Sequence, residues 1–355
     1  MNTSLEQCLV HLEALVACDT TNPPRDIASS GLLEYLQSLP YLDPEISDLG
    51  GGSFNIMLSK GSPKHLFNVH LDTVPVSSGW DYNPHHLTID DGKAYGLGAC
   101  DIKGAAACLL ALIESGLSDY AVLFSTDEEA GQSTCIQEFL KSKPSYEGII
   151  VCEPTQNLAV TCHRGIATGS IKFEGIAGHS SDKRAMQDNA IHKLARWSNQ
   201  ALIKAQEYDS KSIENLSGIA FNLGVIEGGI KPNVIADRAS VKFGFRPLPG
   251  QQHTDILDSL GINDLPDTSV FAPGFIAPSL PADGDIDRLK SLASSLGLQH
   301  SAPVNFWTEA SLFSQAGYPA IVLGPGNIKH AHQPNEHVEL DDLSEAMKLF
   351  AGILQ

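Results

Sequence analysis

The sequence predicts an α/β protein built on a mixed sheet, with a second, α+β domain inserted into it. Three observations predict this. Short apolar runs alternate with helical patterns in the first and last parts of the chain, period-two alternation fills the middle, and the α/β texture returns afterwards.

Residues 5–17 read as an amphipathic helix and residues 27–39 as a second one that stops at Pro40. Residues 66–69, 121–124 and 148–152 are buried strands, separated by helical patterns at 104–115, with its Ala/Leu/Ile face, and at 134–141. Strands that alternate with helices imply crossover units and a largely parallel or mixed sheet. In the middle, residues 168–174 alternate, and Ala239, Val241, Phe243 and Phe245 recur at period two, which indicates antiparallel strands with one wet face. Helical stretches at about 188–207 and 252–260 complete a β-α-β-β-α-β order over 165–272, the ferredoxin-like split-βαβ sandwich. A strand at 320–323 and a helix at 341–353 close the first domain. The expected domains are therefore 1–164 with 273–355, and 165–272.

The chain has 355 residues, a length that suits about two domains. Its 23 Lys and Arg against 42 Asp and Glu give a net charge of −19, which argues against nucleic-acid binding because phosphate contacts need clustered cations. The apolar runs are far shorter than the roughly 20 residues a membrane helix needs. Met1 to Glu6 have neither a basic start nor an apolar core, so a cytoplasmic protein without a signal peptide is expected. Seven irregularly spaced cysteines without a C-x-x-C pair fit reduced thiols.

Chemistry-bearing residues follow the apolar strands, where ligands bind in open α/β sheets. His70 and Asp72 follow the first of these runs, Asp127, Glu128 and Glu129 the second, Glu153 the third, and His330 and His332 the last; Asp101 precedes the helical pattern at 104. Each has an ordinary alternative: a solvated histidine, an acidic loop, or a helix cap. Together they make a ligand set for two divalent cations of the zinc, cobalt or manganese type, which sit about 3.5–4 Å apart and need a bridging carboxylate. Asp72 is too near His70 to ligate easily but can accept its other ring N–H. Glu128 and Glu129 divide the work between ligand and general base.

These segments resemble the M20 family of co-catalytic metallopeptidases and deacylases over nearly the whole chain. The motifs are His70-Leu71-Asp72-Thr73-Val74-Pro75, Gly96 to Gly104, Thr126-Asp127-Glu128-Glu129, Cys152-Glu153-Pro154-Thr155 and Ala331-His332-Gln333-Pro334-Asn335-Glu336. The resemblance implies a metallopeptidase-like catalytic domain with an inserted dimerisation lid. It also implies two metal ions, zinc or cobalt, one held by His70 and Glu153 and the other by Glu129 and His332, with Asp101 shared. Glu128 becomes the general base and Asp72 the partner that orients His70. In the lid, Gly178-His179-Ser180-Ser181 resembles the segment that brings an oxyanion-stabilising histidine to the partner subunit, and Asn233 and Arg246 match substrate-binding segments. His330 competes with His332 for the ligand role, and the Ala-His-Gln-Pro match favours His332.

Within the family the likeness is greatest to the acetylornithine deacetylase group of arginine biosynthesis, which implies metal-dependent hydrolysis of N-acetylornithine to acetate and the free amino acid; N-acetylcitrulline deacetylases are similar and give the alternative substrate. The implied partners are a small N-acyl amino acid and a second copy of the chain, with no nucleic acid and no membrane. An ornithine ammonium would favour a carboxylate such as Glu309 nearby, whereas citrulline's neutral end would ask for hydrogen-bond partners. M20-type dipeptidases and aminopeptidases remain alternatives. A dinucleotide fingerprint at Gly96-x-Gly98 fails, because position 101 is Asp.

Overall fold

The computed structural model describes residues 4–23 and 26–354, so the first three residues of the Met1 to Glu6 segment lie outside the described residues. The chain divides into two units. The first comprises the chain up to Thr161, Ile286–Ser301 and the chain from Thr308; the second comprises Cys162–Asp285 and Ala302–Trp307.

The first unit is built on a six-stranded sheet in the order Glu45–Asp48, Phe54–Lys60, Tyr120–Ser125, His65–His70, Gly148–Val151, Ala320–Val322. The strand His65–His70 runs parallel to both its neighbours, while Phe54–Lys60 is antiparallel to Tyr120–Ser125 and to Glu45–Asp48, so the sheet is mixed. Tyr120–Ser125 is buried along its whole length, which is why it reads as an unbroken apolar run rather than an alternation. Helices Leu5–Ala17, Gly104–Glu114 and Leu340–Ile353 pack against one another, and Phe350 meets Phe67 of the sheet edge-on at 5.0 Å. Thr134–Lys141 and Ala310–Gln315 form a second helical pair, against strands of the same sheet.

Two features differ from the sequence expectation. The stretch 27–39 is not one helix: a short turn at Ile27–Ser29 is followed by a helix Leu32–Ser38. Gly31, at φ 83°, takes the left-handed conformation that breaks the run. The second is a small sheet of Thr88–Asp90, Lys93–Tyr95 and His337–Glu339, too short to leave a periodic signature. Tyr82, ahead of this sheet in the chain, stacks on its Tyr95 at 4.4 Å.

In the second unit four antiparallel strands lie in the order Asn222–Gly228, Arg238–Phe245, Ile166–Glu174, Ser269–Ala277. Helices Ala190–Glu207 and His253–Ser259 fall between them in the chain, giving the β-α-β-β-α-β order. Trp197 of the long helix packs on Phe243 at 5.2 Å and on Phe173 at 6.4 Å. The boundary expected at 272/273 falls inside Ser269–Ala277, whose pairing with Ile166–Glu174 keeps it in this unit; the break lies between Asp285 and Ile286.

His163 is fully buried in this unit, with Nδ1 2.8 Å from the Arg164 carbonyl oxygen. Burial pushes it down to about 4, outweighing the hydrogen bond to Arg164. Because its folded pKa lies below the unfolded value, the unfolded chain takes up the proton first as the pH falls. Stability is therefore lost between roughly pH 6.5 and 4, by an amount on the order of 3 kcal/mol. Urea unfolding of His163→Gln at pH 7 and pH 4.5 is expected to show a smaller acid loss than wild type; an equal loss would mean that His163 does not carry it.

No helix among the described residues is long and apolar enough to cross a membrane. All seven cysteines are buried.

Candidate metal centre

The parallel strands of the first unit place their carboxyl ends side by side, and the candidate residues follow from those ends. His70 is the last residue of His65–His70 and pairs with Ser125, the last of Tyr120–Ser125. Glu128 and Glu129 come three and four residues after Ser125, and Glu153 two residues after Gly148–Val151. Asp101 arrives from the turn before helix Gly104–Glu114, and the peptide that follows it is cis. That turn needs Gly98, which has φ 78°, and a Cβ there would lie 2.7 Å from Thr73 Cγ2 and 3.0 Å from Lys103 Cδ. His332, itself left-handed at φ 59°, arrives from the turn before His337–Glu339.

Asp101 stands at the centre. Its Oδ1 is 3.2 Å from His70 Nε2, and its Oδ2 is 3.1 Å from His332 Nε2. Glu153 Oε2 is 3.9 Å from His70 Nε2, and Glu129 Oε1 is 2.8 Å from His332 Nε2. Two triplets, His70–Asp101–Glu153 and Asp101–Glu129–His332, each bring three donor atoms within 4.8 Å of one another. His70, Asp101 and Glu153 are buried, whereas the His332 side chain is 50% exposed, so the second triplet opens to solvent. His330 is in neither triplet; its ring stacks on His337 at 4.2 Å.

Asp72 holds the site from beneath. It is fully buried and accepts from the side chain of Asn22 (3.0 Å), from the Glu129 backbone N–H (3.0 Å) and from that of Glu128 (3.3 Å). His70 Nδ1 is 3.1 Å from the Asp72 main-chain oxygen and 3.6 Å from its carboxylate, so the backbone oxygen is the nearer acceptor of the ring N–H. That bond turns Nε2, with its lone pair, toward Asp101 and Glu153. Asp127, by contrast, is spent on structure: it accepts from Ser53 and from the backbone N–H groups of Thr134 and Cys135.

The electrostatics fit a divalent cation. Lost hydration, with Glu153, Glu129 and Glu309 nearby, pushes Glu128 well above the carboxylate range, and burial takes Glu153 up to about 7. Burial opposes the charge on Asp101, yet hydrogen bonds from His332 and His70 hold its carboxyl well below the usual value. Asp101 and Glu129 in turn raise His332 to about 11. Four acidic side chains thus compete for the protons of two imidazoles in a poorly hydrated pocket. Divalent metal would relieve that excess of negative charge, and the nitrogen and oxygen donors suit zinc-like ions.

Glu309 is buried close to this cluster. It is 1% exposed, accepts from Ser125 Oγ at 3.1 Å, and is pushed up to about 8 by burial and the Asp127 charge.

His179, Asn233 and Arg246 belong to the second unit. His179 lies in a two-residue strand paired with Val234–Ile235, which puts Asn233 beside it: the Asn233 carbonyl accepts from Ser180 N–H at 3.1 Å. The ring of His179 is exposed and hydrogen-bonded to Ser181 Oγ. Arg246, half-buried, follows the strand Arg238–Phe245, and its carbonyl accepts from Arg164.

Two residues were not foreseen for what they do here. Asn22 binds Asp72 from 50 residues away, and Glu336 accepts three backbone N–H bonds from the turn that carries Asp101. Nothing in their polar surroundings, Thr20-Thr21-Asn22-Pro23 and Gln333-Pro334-Asn335-Glu336-His337, marks these roles.

An α/β unit that gathers two histidine–carboxylate triplets around a shared aspartate at its strand ends has the make-up of a metal-dependent hydrolase. The chain belongs to Peptidase family M20/M25/M40, which it matches over residues 66–355. It is 43% identical over 352 residues to the N-acetyl-L-citrulline deacetylase of Xanthomonas campestris, covering 97% of this chain and 96% of that one. It is 30% identical over 333 residues to the acetylornithine deacetylase of Aliivibrio fischeri, covering 87% and 86%. Among solved structures, the aminopeptidase PepT of Bacillus cereus matches with a TM-score of 0.74 at 18% identity, covering 99% of this chain and 98% of that one.

Proposed function

We propose that the protein hydrolyses an N-acetyl amino acid of arginine biosynthesis to acetate and the free amino acid, using two metal ions, zinc or cobalt, in the cytoplasm. The observation that carries this is the 43% identity, over nearly the full length of both chains, to an N-acetyl-L-citrulline deacetylase, combined with the paired donor triplets about Asp101. Of the two substrates that the relatives' names suggest, N-acetylcitrulline is favoured. The more similar relative acts on it by name. N-acetylornithine is the second reading, supported by the 30% relative.

Bound metal would supply Lewis-acid polarisation of the amide carbonyl and acidify a water molecule. The chain's own groups do the rest. Glu128, partly open to solvent and with its affinity for protons raised, is suited to take a proton from water and return it to the leaving amine. Asp72 fixes the backbone of Glu128 and Glu129, while its main-chain oxygen orients His70. His179, Asn233 and Arg246 are assigned oxyanion and carboxylate binding by family likeness. A homodimer through the second unit is supported by the edge strand Asn222–Gly228, on which Val225 and Ile226 are exposed.

The test is amine release from N-acetylcitrulline and N-acetylornithine side by side, with metal-loaded protein and a chelator-treated control. A preference for N-acetylcitrulline of about tenfold or more in kcat/KM, ~1.4 kcal/mol, lost with chelator, is expected. Preference for N-acetylornithine would move the assignment to the second reading, and turnover of neither would overturn both.

A further inference from the structure

Glu336 is buried to 2% exposure and faces the main chain of the turn that carries Asp101. Its Oε1 accepts from the backbone N–H of Cys100 and of Asp101, each at 3.0 Å, and its Oε2 accepts from that of Gly98 at 3.0 Å. All three contacts come from N–H donors, and a carboxylate is the side chain whose two oxygens can accept all of them. The residue is itself fixed from behind. Its carbonyl accepts from Gly96 N–H at 3.1 Å, and the strand that follows it pairs His337 with Tyr95. The turn needs an external clamp because its backbone is irregular: Gly98 is left-handed, and Asp101 at φ −123°, ψ 85° lies outside helical geometry. Within the turn the Ala99 and Lys103 N–H groups reach the Gly96 and Gly98 carbonyls, whereas those of Gly98, Cys100 and Asp101 go to Glu336. The same short segment, 332–336, also delivers His332 to Asp101 Oδ2.

We propose that Glu336 is a positioning residue of the metal centre: by binding the Gly98, Cys100 and Asp101 N–H groups it sets the direction in which Asp101 presents its two oxygens to the two donor triplets. The inference rests on the metal-centre reading above. A carboxylate that must reach two ions about 3.5–4 Å apart tolerates little rotation of its backbone. The clamp acts on the main chain, so it leaves both Asp101 oxygens available.

The experiment titrates Co2+ into metal-free wild type, Glu336→Gln and Glu336→Asp, as full chains. Visible absorption and competition with a chelator are followed, together with kcat, KM and the unfolding midpoint of the metal-free proteins. Gln keeps the shape but turns an amide N–H₂ toward a backbone donor, and Asp keeps the charge but falls a methylene short. Both are expected to bind Co2+ about 10–100-fold more weakly, with an altered spectrum. Their kcat is expected to fall while KM stays within about twofold. Loss of metal-free stability with unchanged Co2+ affinity and spectrum would make Glu336 merely structural and overturn the inference. A wild-type-like Asp variant beside a defective Gln would also overturn it, because charge and not the three-bond clamp would then matter. Wild type that takes up no Co2+ would overturn the metal-centre reading itself, and this inference with it.

Discussion

Glu128→Gln is expected to keep the fold and the metal content of the protein while kcat falls by about 10²–10⁴-fold, the range that a positioned general base contributes. The substitution is nearly isosteric and leaves untouched the backbone N–H through which Asp72 holds this residue. Glu128 is in neither donor triplet, so the triplets should bind metal no worse than before. What it removes is the capacity to carry a proton from water to the leaving amine. Steady-state kinetics alongside metal analysis and circular dichroism separate the cases. Loss of metal together with activity would recast Glu128 as a ligand, and near-wild-type turnover would take it out of the proton path. KM should move little, because Glu128 acts on the reacting atoms rather than on the parts of the substrate that bind.

Why some of this architecture is readable in the chain and some is not follows from the range of the interactions. The parallel strands Tyr120–Ser125 and Gly148–Val151 are buried along their whole length, so each leaves a continuous apolar run that needs no partner to be recognised. The donors His70, Glu129 and Glu153 stand right after such runs, and strand-end position alone marks them as candidates. Which donors share an ion is another matter. Asp101 meets His332 at a sequence separation of 231, a relation that residue spacing cannot express and that only family likeness suggested.

The missed features are short or non-local. Glu45–Asp48 is exposed at three of its four positions, so it carries no apolar pattern. Lys93–Tyr95 and His337–Glu339 are three residues each, below the length at which alternation is distinguishable from chance, yet their pairing is what brings Glu336 to the Asp101 turn. The domain boundary was misplaced because residues 269–277 include Pro273 and Gly274, which interrupt the period-two signal of a strand that is nonetheless paired on both sides of them. Sequence offers Glu309 only as a carboxylate that an ornithine ammonium would favour, without placing it. The structure buries it beside Ser125, the residue that pairs with His70 at the strand ends.

Asp101→Ala should have the broadest consequence, because this is the residue common to both triplets. Removing Glu153 or Glu129 takes a donor from one triplet and leaves the other complete. Removing Asp101 strips an oxygen from each, and leaves His70 with Glu153 at 3.9 Å as its nearest remaining acidic partner in the cluster on the Nε2 side. Metal bound per chain after dialysis against a weak chelator is expected to fall from two to less than one, with affinity lowered by at least ~10²-fold, more than loss of a residue that merely orients a ligand. Loss of the metals' charge stabilisation, worth several kcal/mol, translates into a fall of ~10³-fold or more in kcat/KM. The turn itself should survive, because alanine keeps the backbone N–H that Glu336 binds. That separates the two effects physically: Asp101→Ala deletes the donor while keeping its mount, whereas the Glu336 variants keep the donor and loosen the mount. If Asp101→Ala retained two tightly bound ions, the shared-carboxylate geometry would have no bearing on metal binding, and the two triplets would have to act as independent sites.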